Sequence, residues 1–478
     1  TVAEKSVLCI NLNENIVDSP SVSPLSNLNA QSLTIDTSLT SLQVLSAIEH
    51  AAGDQNIEGI YLYLNGTGII DISLLEELRS SLERFKLSGK FVVAYDDNYT
   101  QSDYYLASVA DHIILCPEGS VDWHGVAFTS VFFKGLLDKI DAKVEVFRPS
   151  SCKYKSGVEP FIYTKMSDAN RKQMSILSES MWLTIVETVS ASRSISAEHL
   201  RDLAYNLELS SADDALAEHF VDKLGYEDDL LNYFQSKGIK KNSKGEYNTI
   251  TLGEYISMNK SNTIIEMMNG DIMDMDMNMK PKTRPNSIAV VYADGEIVDG
   301  NMFADNYVFG TSLASQLRQA RLDNNTKAVV LRVNSPGGSA LASDVVWREM
   351  QLLQQNKVVV VSMGEYAASG GYYISAPADY ILANNLTLTG SIGVFGMSFN
   401  IEETLRKHLG ITFDSVGSSP SAGGMTITRA LTTAERNNIN KGIDRVYDTF
   451  TSIVAEGRNM PKESVYEIAE GRVWSGRD

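Results

Sequence analysis

Cysteine, histidine, basic residues and long apolar runs are all scarce in this chain of 478 residues, and each shortage closes off a class of function. Three cysteines, Cys9, Cys116 and Cys152, are too few and too scattered for a disulfide framework or a zinc site. No metal and no cofactor is expected. The 41 Lys and Arg stand against 60 Asp and Glu, a net charge of -19. Neutralising phosphates needs clustered basic side chains, so no nucleic acid is expected as a partner. No apolar run approaches the ~20 residues that span a bilayer. The longest, such as Val358 to Val361, have strand length. The sequence opens Thr-Val-Ala-Glu, with neither Met nor a basic-then-apolar leader, as a processed start would.

What is present is a repeat. Cys9-Ile-Asn-Leu-Asn-Glu-Asn-Ile-Val-Asp18 parallels Val290-Val-Tyr-Ala-Asp-Gly-Glu-Ile-Val-Asp299. Asp54 to Asn65 matches Asp323 to Asn334 at an offset of 269, and Tyr104 to Asp111 matches Tyr372 to Asp379 at 268. Met166 to Arg171 matches Leu431 to Arg436 at 265. A drift of a few residues is what loop insertions in two copies of one unit produce. Asp478 aligns with Asp213, so Asp214 to Phe234 have no counterpart in the second copy.

Within each copy, β-branched runs (Gly59 to Leu64, Phe91 to Ala94, Val329 to Val333, Val358 to Val361) read as buried strands. Helical patterns such as Ile72 to Phe85 and Ser343 to Gln354 separate them, and this alternation implies an α/β fold with crossover connections. The division expected is a copy over 1–240, a linker over 241–286 and a second copy over 287–478. The linker contains Asp271-Ile-Met-Asp-Met-Asp-Met-Asn-Met279. Methionine fills irregular gaps without fixing geometry, which suits a connecting segment better than a ligand site.

The copies differ where chemistry would lie. Asn334-Ser-Pro-Gly-Gly-Ser339 follows a strand directly, so its backbone N–H groups are free to face an anion. Ser369, in Ala367-Ala-Ser-Gly-Gly-Tyr-Tyr373, sits at a strand-to-helix turn. Two readings stay open there, a nucleophile on an elbow or an ordinary helix N-cap. The aligned residue in the first copy is Gln101. A serine needs a base, yet the second copy contains only His408, and the other five histidines lack a triad setting. Lysine is the alternative, since burial favours its neutral form. Lys155, in Tyr154-Lys-Ser-Gly-Val-Glu-Pro-Phe161, occupies a largely uncharged stretch, and no lysine stands at the aligned Ser419 to Met425. One copy keeps the lysine, the other the serine.

These segments, with Thr389-Gly-Ser-Ile-Gly393, together resemble signal peptide peptidase A in its long, two-copy bacterial form. The resemblance covers nearly the whole chain. It implies a tandem duplication of a Clp protease/crotonase-like unit of stacked β-β-α repeats. It further implies that Ser369 is the nucleophile, Lys155 the general base, and Ser391 a hydrogen-bond partner of that lysine. Gly338 and Gly370 would supply the oxyanion hole. By the same resemblance, the protein would be a homotetramer anchored in the bacterial inner membrane through a segment absent from this sequence. It would face the periplasm and cleave remnant signal peptides and similar extended apolar peptides. Two rivals remain, an acyl-CoA hydratase or isomerase of the same superfamily and a scaffold without catalysis. The first leaves Ser369 and Lys155 unexplained, and the second would have lost one of them.

Overall fold

The computed structural model describes residues 2–12, 16–20, 28, 29, 34, 35, 38–64, 71–258 and 286–478. The Asp271 to Met279 run lies outside them. The chain divides into two compact units. The first comprises Thr1–Val126, Met181–Arg284 and Asn384–Leu386. The second comprises Ala127–Ser180, Pro285–Ala383 and Thr387–Asp478. Residues 127–180, which the repeat assigns to the first copy, thus belong to the second unit, and Lys155 is among them.

In the first unit, six strands lie in the order Lys223–Leu224, His112–Leu115, Phe91–Asp96, Ile57–Tyr63, Ser6–Asn11, Thr249–Thr251. Every neighbouring pair is parallel. Parallel neighbours need crossovers, and the helices Ser41–Gly53, Ile72–Lys86 and Gln101–Ala107 alternate with these strands. Leu8, Ile60, Leu62, Val92 and Ile113 are fully buried, as covered parallel strands require. Thr249–Thr251 forms the edge beside Ser6–Asn11, so the start of the expected linker is built into this unit.

The second unit repeats the element order. Ser287–Asp294, Thr326–Ser335 and Val358–Ala368 lie side by side and parallel. Tyr380–Leu382 and Leu388–Gly390 both pair with Val358–Ala368, one near its start and one at its end. Val473–Ser475 closes that edge, antiparallel to Leu388–Gly390. Glu296–Val298 and Tyr307–Phe309 form a short parallel pair before the helix Gly310–Leu322, which gives a β-β-α unit. Val329, Leu331, Val333, Val359, Val361 and Met363 alternate into one core. Each buried side chain of that size contributes ~1.5–3 kcal/mol. A one-residue slip would turn the whole set outward, so this pattern fixes the register.

Gly396–Asn400 pairs antiparallel with Lys143–Phe147, and Arg436 forms an ion pair with Glu145 beside them. This ribbon ties the segment carrying Lys155 into the second unit. No described helix is long and apolar enough to cross a membrane.

Candidate active site

The strand Val358–Ala368 runs through one residue, Ser369, into the helix Gly370–Ser375. Ser369 has φ 53° and ψ -117°, a conformation that costs a residue with a Cβ on the order of 1–3 kcal/mol. Its N–H donates to the Gly390 carbonyl at 3.0 Å, and its carbonyl accepts from the Tyr373 N–H at 2.9 Å. The Ser369 side chain makes no capping bond to the helix. Of the two readings open in the sequence, the plain N-cap is therefore excluded.

Lys155 ends a turn in which its own N–H donates to the Cys152 carbonyl at 3.1 Å. Arg148 Nη1 donates to the Lys155 carbonyl at 2.8 Å. The chain also passes close at Gly471, whose φ is 77°. A Cβ there would stand 2.6 Å from the Lys155 Cβ and 2.8 Å from its nitrogen, so glycine is required. The lysine is only 6% exposed. Its Nζ lies 2.9 Å from Ser369 Oγ, 2.9 Å from Ser391 Oγ and 2.8 Å from the Ser391 carbonyl.

Among the described residues no carboxylate forms an ion pair with Lys155. Burial therefore acts with little opposition, and it pulls the ammonium pKa down from 10.5 to about 8; the nearby Cys152 thiol works weakly the other way. When the amine is neutral, it keeps two donors for Ser391 and offers its lone pair to the Ser369 hydroxyl. Ser391 is itself held at φ 51°, with its N–H on the Arg472 carbonyl at 2.7 Å.

The glycine loop lies against Ser369. A Cβ on Gly370 would stand 3.2 Å from the Gly338 nitrogen, and one on Gly337 would stand 2.7 Å from the Ser369 Cβ. Gly338 has φ 149°, and a Cβ there would meet the Ile297 carbonyl oxygen at 2.0 Å. Ile297 bridges this loop by donating to the Gly337 carbonyl at 2.9 Å and accepting from the Ser339 N–H at 2.8 Å. Among the described residues the Gly338 N–H has no hydrogen-bond partner. Gly370 is the first residue of its helix, where an N–H has no acceptor within the helix. Two neighbouring N–H groups are thus available beside one hydroxyl, as stabilising an oxyanion requires.

Around them opens a groove of about 580 Å³, lined by Lys155, Ser369 and Ser391 together with Val394, Phe395 and Phe450. No histidine lines it. His408 instead pairs with Asp141 at an exposed position, 3.2 Å away. In the first unit, Gln101 binds backbone: its Oε1 accepts from the His124 and Gly125 N–H groups and its Nε2 donates to the Gly125 carbonyl. Where the second unit has a hydroxyl, the first has a structural amide. Cys152 is fully buried, with its thiol pKa raised by burial, and Cys9 and Cys116 are free.

An α/β unit with a hydroxyl on a strained strand-to-helix turn, two open N–H groups and a buried amine defines a class, the serine peptidases of Clp-like fold. The Clp protease family model matches residues 293–385. The model of peptidase family S49 matches residues 84–239 and 351–478. The chain is 39% identical over 447 residues to Protease 4 of Salmonella typhi, covering 91% of this chain and 68% of that protein. It is 36% identical to Protease 4 of Haemophilus influenzae, covering 95% and 71%. The chloroplastic serine protease SPPA of Arabidopsis thaliana is 28% identical over 90% of this chain and 61% of its own length. The chain belongs to peptidase family S49 and is a serine peptidase.

Lys155 and Ser369, singled out by complementary loss between the copies, lie together with Ser391, Gly338 and Gly370, which the family resemblance implies. Two residues that shape the site escape sequence reading. Gly471 carries no motif, and only its contact with Lys155 explains it. Gln173, whose Nε2 lies 3.0 Å from the Tyr154 carbonyl beside Lys155, follows just past the repeated Met166 to Arg171 segment, the one signal near it.

Proposed function

We propose that the protein is an endopeptidase working through a Ser-Lys dyad, with Ser369 as nucleophile and Lys155 as general base. The observation that carries this reading is the buried Lys155 Nζ, free of any carboxylate ion pair among the described residues and 2.9 Å from Ser369 Oγ. Neutral Lys155 takes the hydroxyl proton as Oγ attacks the scissile carbonyl, and the resulting ammonium then protonates the leaving amine. The Gly338 and Gly370 N–H groups receive the developing oxyanion. Water enters after the amine departs, Lys155 takes its proton as it attacks the acyl carbonyl, and the ammonium returns that proton to Ser369 Oγ as the acid product leaves. Ser391 holds the amine in line through both halves of the cycle.

The substrates are extended apolar peptides, remnant signal peptides among them. Val394, Phe395 and Phe450 in the groove support this reading, because apolar side chains gain most from such walls. The protein works as a homotetramer, anchored to the bacterial inner membrane by a segment outside this sequence and facing the periplasm. The test is hydrolysis of an internally quenched apolar peptide, with its products mapped by mass spectrometry. Internal cleavage by the wild type, absent in Ser369→Ala and Lys155→Ala variants of unchanged melting temperature, is expected. Full activity in Lys155→Ala would refute the dyad.

A further inference from the structure

Lys155 can serve as base only if its amine is held in place against Ser369 and Ser391, and its long side chain supplies no rigidity of its own. The surrounding hydrogen bonds converge on Gln173, in the helix Asp168–Arg193, a residue outside the dyad and only 2% exposed. Its Nε2 lies 3.0 Å from the Tyr154 carbonyl and 3.1 Å from Ser156 Oγ, the residues on either side of Lys155. Its Oε1 accepts from the Val473 N–H at 3.2 Å. Val473 opens the strand that pairs with Leu388–Gly390, immediately before Ser391. One amide therefore joins the backbone that carries the base to the strand that leads to the base's partner.

The amide is itself held from behind. Nε2 also lies 3.0 Å from Asn170 Oδ1, and Asn170 Nδ2 donates to Glu159 Oε2 at 3.0 Å. Glu159, 1% exposed, accepts further from the Ser167 N–H and hydroxyl. This accounts for Glu159 in the Tyr154–Phe161 segment, a buried carboxylate that the proton transfers never use. A primary amide suits position 173. It must donate to a carbonyl and accept from an N–H at once, which a carboxylate or an apolar side chain cannot do.

We infer that Gln173 is a positioning residue for the dyad, setting where Lys155 Nζ sits relative to Ser369 and Ser391. The inference rests on the dyad reading above. Two variants test it, each assayed per active site after titration with a fluorophosphonate. Gln173→Met keeps the volume and loses every polar contact. It is expected to lower kcat about tenfold or more with KM little changed, because an ångström of misplacement can cost far more than that. Gln173→Glu still accepts from Val473 but cannot donate to Tyr154, and it adds a negative charge near the lysine. The acid limb of its pH profile is expected to move upward by about half a unit or more.

A purely structural glutamine would lower the melting temperature and leave kcat per active site and the pH profile as they are. That outcome overturns the inference. If Gln173→Met does not fold, Ser156→Ala removes one acceptor of the same amide and is read in the same way. Should wild-type Ser369 fail to label at all, the dyad reading falls instead, so the two failures are distinguishable.

Discussion

The pH dependence of Ser369 acylation follows directly from the burial of Lys155. In the proposed dyad Lys155 acts as base only when neutral, and burial pulls its pKa down to about 8. About half of the sites are therefore competent at pH 8, roughly one in ten at pH 7 and about one in a hundred at pH 6. The assay is the second-order rate of inactivation by a fluorophosphonate between pH 5.5 and 9.5, a reaction that reports acylation of the free enzyme. A slope of one is expected, bending to a plateau near pH 8. A midpoint near 6.5 would point to a histidine, and one near 10.4 to an exposed lysine. Either would refute the reasoning, and so would a flat profile.

The same shift has a consequence for stability, read by chemical denaturation of wild type against Lys155→Met. The folded chain releases the Lys155 proton near pH 8 while the unfolded chain keeps it to about 10.5, so between those values the unfolded state binds more protons. Wild-type stability should therefore rise relative to the variant by on the order of 1 kcal/mol from pH 7 to 9; a constant difference would mean that Lys155 is not desolvated. Gly338→Ala drives a methyl group into the Ile297 carbonyl and moves one oxyanion donor, so kcat should fall by ~10²–10³ while Ser369 still labels. Ser391→Ala should cost about a hundredfold in kcat, less than loss of the proposed base, because Ser391 would orient the amine without moving the proton. His408→Ala, at an exposed ion pair, should leave peptide hydrolysis unchanged; a large loss would reopen a histidine mechanism.

Much of the fold is legible in the sequence. The β-branched runs at Val329 to Val333 and Val358 to Val361 lie inside the observed strands Thr326–Ser335 and Val358–Ala368, because their alternate side chains Val329, Leu331, Val333, Val359 and Val361 fill one core. Complementary loss between the copies singled out Ser369 and Lys155, because a duplicated unit needs only one working copy of each group. The sequence could not show that residues 127–180 pack in the second unit. That depends on the ribbon between Lys143–Phe147 and Gly396–Asn400, a pairing across some 250 residues that no local pattern encodes. Gln173 stayed hidden for a similar reason. Its partners Tyr154, Ser156 and Val473 are brought to it by tertiary structure, and a glutamine near the start of a helix carries no signal of its own.

The central claim is that Ser369 and Lys155, 214 positions apart, form one reactive pair. Its most direct test identifies the residue labelled by a fluorophosphonate in wild type and in Lys155→Ala, by peptide mapping with the labelling rate measured at pH 8. A single adduct per chain on Ser369 is expected, forming at least about a hundredfold more slowly in the variant, the usual worth of a positioned base. An adduct on another residue, or labelling of Ser369 at an unchanged rate without Lys155, would contradict it.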